Sequence, residues 1–502
     1  MNAVRLAFSV LLGTSVSVLA ATQVRTESDL RNISGAKCSD DITLMNDIRM
    51  SNSSFTPLCP NGFSGVFDGG NHTITNLYIS EDLVYCKKVA FIAVLSDGGV
   101  LKNLTFKDPR VEAYNILFSV KEASVAVAVG ELEGGSVENV HVIGGNVDVS
   151  SMLLNNATAD AGGLVGTADS GAVSESGGEI DVSNTGSRNG TVGGICGSIT
   201  GDVTLTSVTY SGNVAEAVGS VDEDATLTSK YGAVTLSQTR SANSAVIDGE
   251  YTGKDSIKIP TDVSVNSVVL TRNFVENTMS TLMLPFSIDT SKVKGAKIYR
   301  FKRVDVNEET GIWKVVIGRI YTPQLGANTP YLVLPTADKM TFEGPVTFNT
   351  TTASLENAYG LEEGSSWEFK GVYAHTEFDE VQEDGLMYAF AGQNRDGVKV
   401  GQFKKIGSGV KAYPMQAFLV NHEGSVAAKS ASASFGHGFA LPDVIDIEIE
   451  DENGIVVEAG KFNTVTGEVR MDRWYDLKGR KLNSRPFVKG TYYNNGRRVI
   501  IK

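Results

Sequence analysis

The chain has 502 residues with 41% hydrophobic content, too long for one ordinary core and apolar enough for two or three folded domains. Its formal net charge of -14 repels phosphate backbones, which argues against nucleic acid as a partner. No apolar run long enough for a bilayer follows the extreme N-terminus, so no internal membrane span is expected.

The first element is a leader. Arg5 gives a positive start, Leu6 to Leu19 a short apolar stretch, and Ala20-Ala21 a small-residue cleavage site, so residues 1–21 read as a secretory signal peptide. The mature chain is then expected outside the cytoplasm, where disulfides persist. Four cysteines, Cys38, Cys59, Cys86 and Cys196, allow three pairings, and spacing alone does not choose among them. Cys38 with Cys59 is the favoured pair, because the two flank one acidic, Ser/Asn-rich loop. Cys196 lies in an apolar run and reads as a small buried hydrophobe.

Residues 22–255 form the next element. Between 107 and 250 there are four aromatics, and between 110 and 259 no proline. Asn76-Leu77, Asn103-Leu104 and Asn139-Val140 follow Gly-containing turns, and Gly98 to Asn103 matches Gly134 to Asn139 at an offset of 36. Gly162 to Gly166 recurs as Gly193 to Gly197. Val140, Val142, Val147 and Val149 alternate with polar residues, the period of a strand. Repeats of this length with short strands and Gly turns predict a parallel β-helix. Its core would be thin, its coils would number roughly seven at about 4.8 Å each, and the repeated Asn would form a hydrogen-bonded ladder.

The run Gly62 to Leu77 and the Gly163-Leu164-Val165-Gly166 sequence, altered at Gly194-Ile195-Cys196-Gly197, resemble the GLUG repeats of bacterial surface proteins. The resemblance covers roughly 23 to 255. It implies a right-handed parallel β-helix on an extracellular, often adhesive protein, and no catalytic residues.

Residues 256–440 hold twenty-one aromatics after 260 and read as antiparallel strands, such as Trp313 to Ile317 and Tyr331 to Leu334, between Gly, Pro and Asn turns. A β-sandwich is expected here. Residues 441–502 begin with the acidic stretch Asp443 to Glu452. They end with Trp474-Tyr475-Asp476-Leu477-Lys478-Gly479-Arg480-Lys481-Leu482, Gly490-Thr491-Tyr492-Tyr493 and Gly496 to Lys502. This tail resembles the C-terminal sorting domain of type IX secretion cargo, with Lys489 where many such tails have proline. It implies export through that machinery to the outside or outer surface of a Gram-negative bacterium. Gly479, Gly490 and Gly496 are expected at turns.

No catalytic, cofactor-binding or metal-binding residues are assigned. Between Glu122 and Ser229 one basic residue, Arg188, faces fifteen Asp and Glu, a poor match to a polyuronate lyase, which needs cationic groups for its substrate. The five histidines, His72, His141, His375, His422 and His437, lack partners at metal spacing. Asp222-Glu223-Asp224 and Asp446 to Asp451 lack calcium-loop spacing and read as solvated acidic loops. The expectation is a secreted, surface-associated, non-enzymatic adhesin-like or structural protein whose partner is an extracellular polysaccharide or a surface protein. The alternative is a polysaccharide-binding or polysaccharide-degrading β-helix, which requires the coils to stack Asp and Glu on one strand face.

Overall fold

The computed structural model describes residues 21–502 except 34, 116–119, 152–156, 186–189, 260–261, 307–309, 311, 321, 350–358, 361–366, 379–385, 393, 395–396, 407–408, 422–442 and 483–484. The expected leader, apart from Ala21, and His422 and His437 therefore lie outside the described residues. The chain is nearly all β, with a parallel β-solenoid and separate sheets. It divides into two compact units: residues up to Gly171 with Ser176–Gly197 and Ser211–Asn213, and the remainder.

The first unit is built from stacked coils. A capped entry precedes them: the Glu27–Arg31 helix starts at Thr26, whose hydroxyl accepts the Asp29 N–H while the Asp29 carboxylate accepts the Thr26 N–H. Cys38 and Cys59 are joined by a disulfide. Parallel pairing then runs from Val66–Thr75 to Val100–Lys107 and on to the first part of Val129–Ser151. It continues from Tyr78–Asp82 through Arg110–Asn115 and Asn146 to Ser151 to Gly177–Thr185. Alternation puts Ile74, Phe106 and Val142 inside at one level and Ile79, Val111, Val147 and Val182 at another, all buried. The early coils close around Phe91, whose ring lies 5.6 Å from Phe55, 5.3 Å from Phe67 and 5.2 Å from Phe106.

Glycines set how close the coils come. A Cβ on Gly166 would lie 2.6 Å from the Gly130 carbonyl oxygen and 2.7 Å from the Val125 nitrogen. One on Gly197 would lie 2.6 Å from the Gly166 oxygen, and one on Gly163 2.2 Å from the Gly194 oxygen. Backbone occupies the space a side chain needs, so the repeated Gly-Leu-x-Gly positions are steric requirements of the stack. Leu164 and Ile195 between them point into the core.

The solenoid has about four turns rather than the expected seven. Parallel register persists from Asp202 to Thr206 against Thr226 to Lys230, but Thr226–Tyr231, Val234–Gln238 and Asn243–Asp248 then pair antiparallel. The strand period is the same in both arrangements, so the sequence pattern did not register the change. Nor does the core change at 255: Tyr231, Leu236, Ile247 and Leu270 share one buried cluster with Phe286, Phe342 and Phe348.

In the second unit a seven-stranded sheet and a five-stranded sheet pack face to face. Phe301, Trp313, Ile317 and Leu332 of the first meet Trp367, Phe369, Tyr388 and Leu419 of the second, with Phe301 and Phe369 rings 5.7 Å apart. Val444–Glu450 and Val456–Asn463 complete the seven-stranded sheet, the former parallel to Trp313–Arg319. The last residues form a separate four-stranded antiparallel sheet of Trp474–Tyr475, Lys481–Leu482, Gly490–Asn494 and Arg497–Ile501. Gly479 and Gly496 sit at turns with positive φ, whereas Gly490 opens a strand.

Candidate functional site

The solenoid presents its most elaborate polar surface on the sheet that contains Tyr78–Asp82 and Arg110–Asn115. Because Ile79, Val111, Val147 and Val182 point inward, their neighbours point out. The register stacks Ser80 on Glu112, Asp148 and Ser183, and places Tyr78 beside Arg110, Asn146 and Asp181. Two carboxylates therefore occupy successive rungs, about 4.8 Å apart at the backbone.

Neither carboxylate is left bare. Glu112 accepts a hydrogen bond from the Tyr78 hydroxyl at 3.1 Å and one from Arg110 Nε at 2.6 Å, so both its oxygens are engaged. The Arg110 guanidinium lies over the Tyr78 ring, 5.6 Å from its centroid. Asp148 accepts from the Ser183 hydroxyl. Tyr114, 36% exposed, and Tyr85, 85% exposed, supply aromatic surface on the strand end and in the turn after Asp82. Rings flanking a row of hydroxyl, carboxylate and guanidinium groups suit a hydroxyl-rich ligand, since rings stack on sugar faces and the row bonds their edges.

The Asn ladder exists, with one member different from that expected. Asn139 donates to Asn103 Oδ1 at 3.0 Å, and Asn103 donates to Asp68 Oδ1 at 3.1 Å. The third asparagine at this corner is Asn71, not Asn76: Asn71, Asn103 and Asn139 all have φ between 52° and 61°, and Asn139 reaches Asn71 at 3.5 Å. Asn76 stands at the following corner, where its N–H bonds the Lys107 carbonyl and Asp108 repeats the positive φ one coil on. A register shift between Asp68 and His72, at Gly69-Gly70, moves the asparagine off the dipeptide pattern. Burial pushes the Asp68 carboxyl up, but the Gly70 N–H, the Asn103 amide and Lys102 outweigh it and hold it below the usual Asp range.

The described histidines serve packing and turns. His72 Nδ1 lies 3.1 Å from Asp47, which also accepts the Thr73 N–H, and these bonds lower the Asp47 carboxyl. His141 joins the ladder through Asn139 at 3.1 Å, and the His375 ring meets Tyr413 edge-on. Among the described residues, no group of three or more His, Cys, Asp or Glu is placed to hold a metal ion.

Comparison with models of protein families, curated proteins and solved structures finds no match to this chain.

Two acidic segments behave differently from one another. Asp222, Glu223 and Asp224 are exposed in a turn, as expected. Asp446 to Glu450 is not a solvated loop but a strand whose acids face cations: Asp446 meets Lys461, Glu448 meets Lys314 at 3.0 Å, and Glu450 meets Arg303 at 2.8 Å and Lys302 at 3.0 Å. The Glu450 side chain is only 7% exposed; burial raises its carboxyl, yet the two cations win and lower it. The alternation Val444, Ile445, Asp446, Ile447, Glu448, Ile449, Glu450 carried the strand signal, masked by the charge run. Among the described residues no helix is long and apolar enough to cross a membrane.

Proposed function

We propose that this chain is an extracellular, surface-associated recognition protein of the adhesin kind, whose solenoid holds a glycan or glycoprotein against the Tyr78, Arg110, Glu112, Asp148 face. The observation that carries the reading is that face: ordered, outward and flanked by Tyr85 and Tyr114 on a backbone locked by stacked coils. The Cys38–Cys59 disulfide supports an oxidising compartment, and the tail's resemblance supports export through its C-terminal residues. The protein works by binding, without breaking bonds in its ligand.

A second reading is favoured by one specific feature, the stacking of Glu112 on Asp148, the juxtaposition a carboxylate-dependent polysaccharide hydrolase requires. Incubation of the chain with a panel of soluble and insoluble polysaccharides separates the two. Co-sedimentation without new reducing or unsaturated ends, lost in Tyr114→Ala and Arg110→Ala, is the expected result. New chain ends that vanish in Glu112→Gln would replace recognition with hydrolysis.

A further inference from the structure

Charge is unevenly distributed in this chain: residues 453–502 carry eleven Lys and Arg against four Asp and Glu, although the whole is at -14. Within the second unit a cleft of about 1230 Å³ lies between the Val456–Asn463 and Val469–Met471 strands on one side and the Trp474–Tyr475 and Lys481–Leu482 strands on the other. Six cations line it: Lys297, Lys461, Arg470, Arg473, Lys481 and Arg485.

Two of these are neutralised, Lys461 by Asp446 and Arg470 by Glu468. Of the acids lining the cleft, Glu458 is taken by Arg319, Glu468 by Arg470, and Asp472 accepts the Asn494 and Asn495 amides. Lys297, Arg473, Lys481 and Arg485 are left, among the described residues, without an ion pair. Four like charges around one concavity repel one another, and an anion seated there relieves the repulsion. A second observation points the same way. Trp474, 6% exposed, lines this cleft, and its indole N–H has no acceptor, although a buried donor ordinarily has one.

We infer that the cleft binds an anionic glycan chain, one bearing carboxylate or sulfate groups at intervals. The volume exceeds the 300–1,000 Å³ or so of small-molecule pockets, which suits several linked rings. Asn277 and Thr336 add neutral hydrogen-bonding groups for hydroxyls. Its lining shares no residue with the Tyr78, Arg110, Glu112, Asp148 face, whose carboxylates would repel such a chain, so anion binding here does not depend on recognition there.

The test titrates the full chain with an alginate oligomer, dextran sulfate, neutral dextran of the same length and single-stranded DNA, at low and high salt. Arg473→Gln/Arg485→Gln removes two exposed cations from the cleft, and Arg497→Gln/Arg498→Gln removes two exposed cations of the same four-stranded sheet that do not line it. The expected result is salt-sensitive binding of a charged glycan and none of neutral dextran. The cleft pair should weaken it about tenfold and flatten its salt dependence, while the control pair changes it less than about twofold. Equal losses in both pairs would show a diffuse basic surface, and absence of charged-glycan binding would remove the site. DNA bound as tightly as the glycan would overturn the assigned class.

Discussion

The solenoid and the sandwich solve the same problem, burying the apolar face of their β-strands, with opposite materials. In the solenoid, coils approach until glycine is the only residue that fits, and the interior is mostly Val, Ala, Leu and Ile once past the Phe91 cluster. In the sandwich, two sheets face each other across a layer filled by Trp313, Phe301, Phe369 and Trp367, and the glycines are mostly turn residues. Backbone contact thus limits tolerance in the first region, while side-chain volume and one buried ion pair do so in the second.

The largest effect should come from the sandwich. Glu450→Ala leaves Arg303 and Lys302 facing a partly buried gap, and a loss of about 3–5 kcal/mol is expected in denaturant unfolding followed by tryptophan fluorescence. A loss no larger than that of an exposed pair such as Arg470 with Glu468 would show that the sandwich does not depend on it. Gly166→Ala is the matching break in the solenoid. With backbone atoms 2.6 to 2.9 Å from the new Cβ, about 3 kcal/mol should be lost, and hydrogen exchange should rise around residues 125–135 and 160–170 first. Gly397→Ala, where no atom lies within 4 Å but φ is +81°, should cost only about 1 kcal/mol.

Cys59→Ser opens a 21-residue separation near the solenoid entry and should cost about 3 kcal/mol, read as a lower melting temperature that reducing agent no longer shifts. Asn103→Ala removes the middle of the ladder and puts a Cβ-bearing residue without a side-chain acceptor at positive φ, for about 1–2 kcal/mol. The smallest effect is on pH dependence. Asp68 and Asp47 have folded-state pKa values below their unfolded ones, so their contribution is full above about pH 4 and is lost as pH falls through the folded values. Melting curves of the chain and of Asp68→Asn should therefore converge as pH drops from neutral towards 3. A constant gap would mean that Asp68 acts by shape and not by charge.

Much of the first region was legible because its constraints are local. The offset of 36 found Asn103 and Asn139, and it worked because the coil from Gly98 to Asn139 keeps its length. It failed at Asn71 because the extra residues at Gly69-Gly70 come before that asparagine and leave it closer to Asn103 than one 36-residue offset, so the Asn-Leu dipeptide pointed to Asn76 at the wrong corner. The polar face was not legible. Its residues come from four strands between 78 and 183, and only the stacking register sets Glu112 beside Asp148.

The sequence by itself determined the all-β class, the parallel solenoid, the aromatic-rich region after it and the turns, because each follows from strand period, from glycine and asparagine at positive φ, or from residue volume. The tertiary structure alone decided where parallel stacking gives way to antiparallel pairing, which cations meet the Asp446 to Glu450 strand, and which basic residues share a cleft with Trp474. Those outcomes rest on partners up to more than a hundred residues apart, and a strand carries the same alternation whichever neighbour it pairs with.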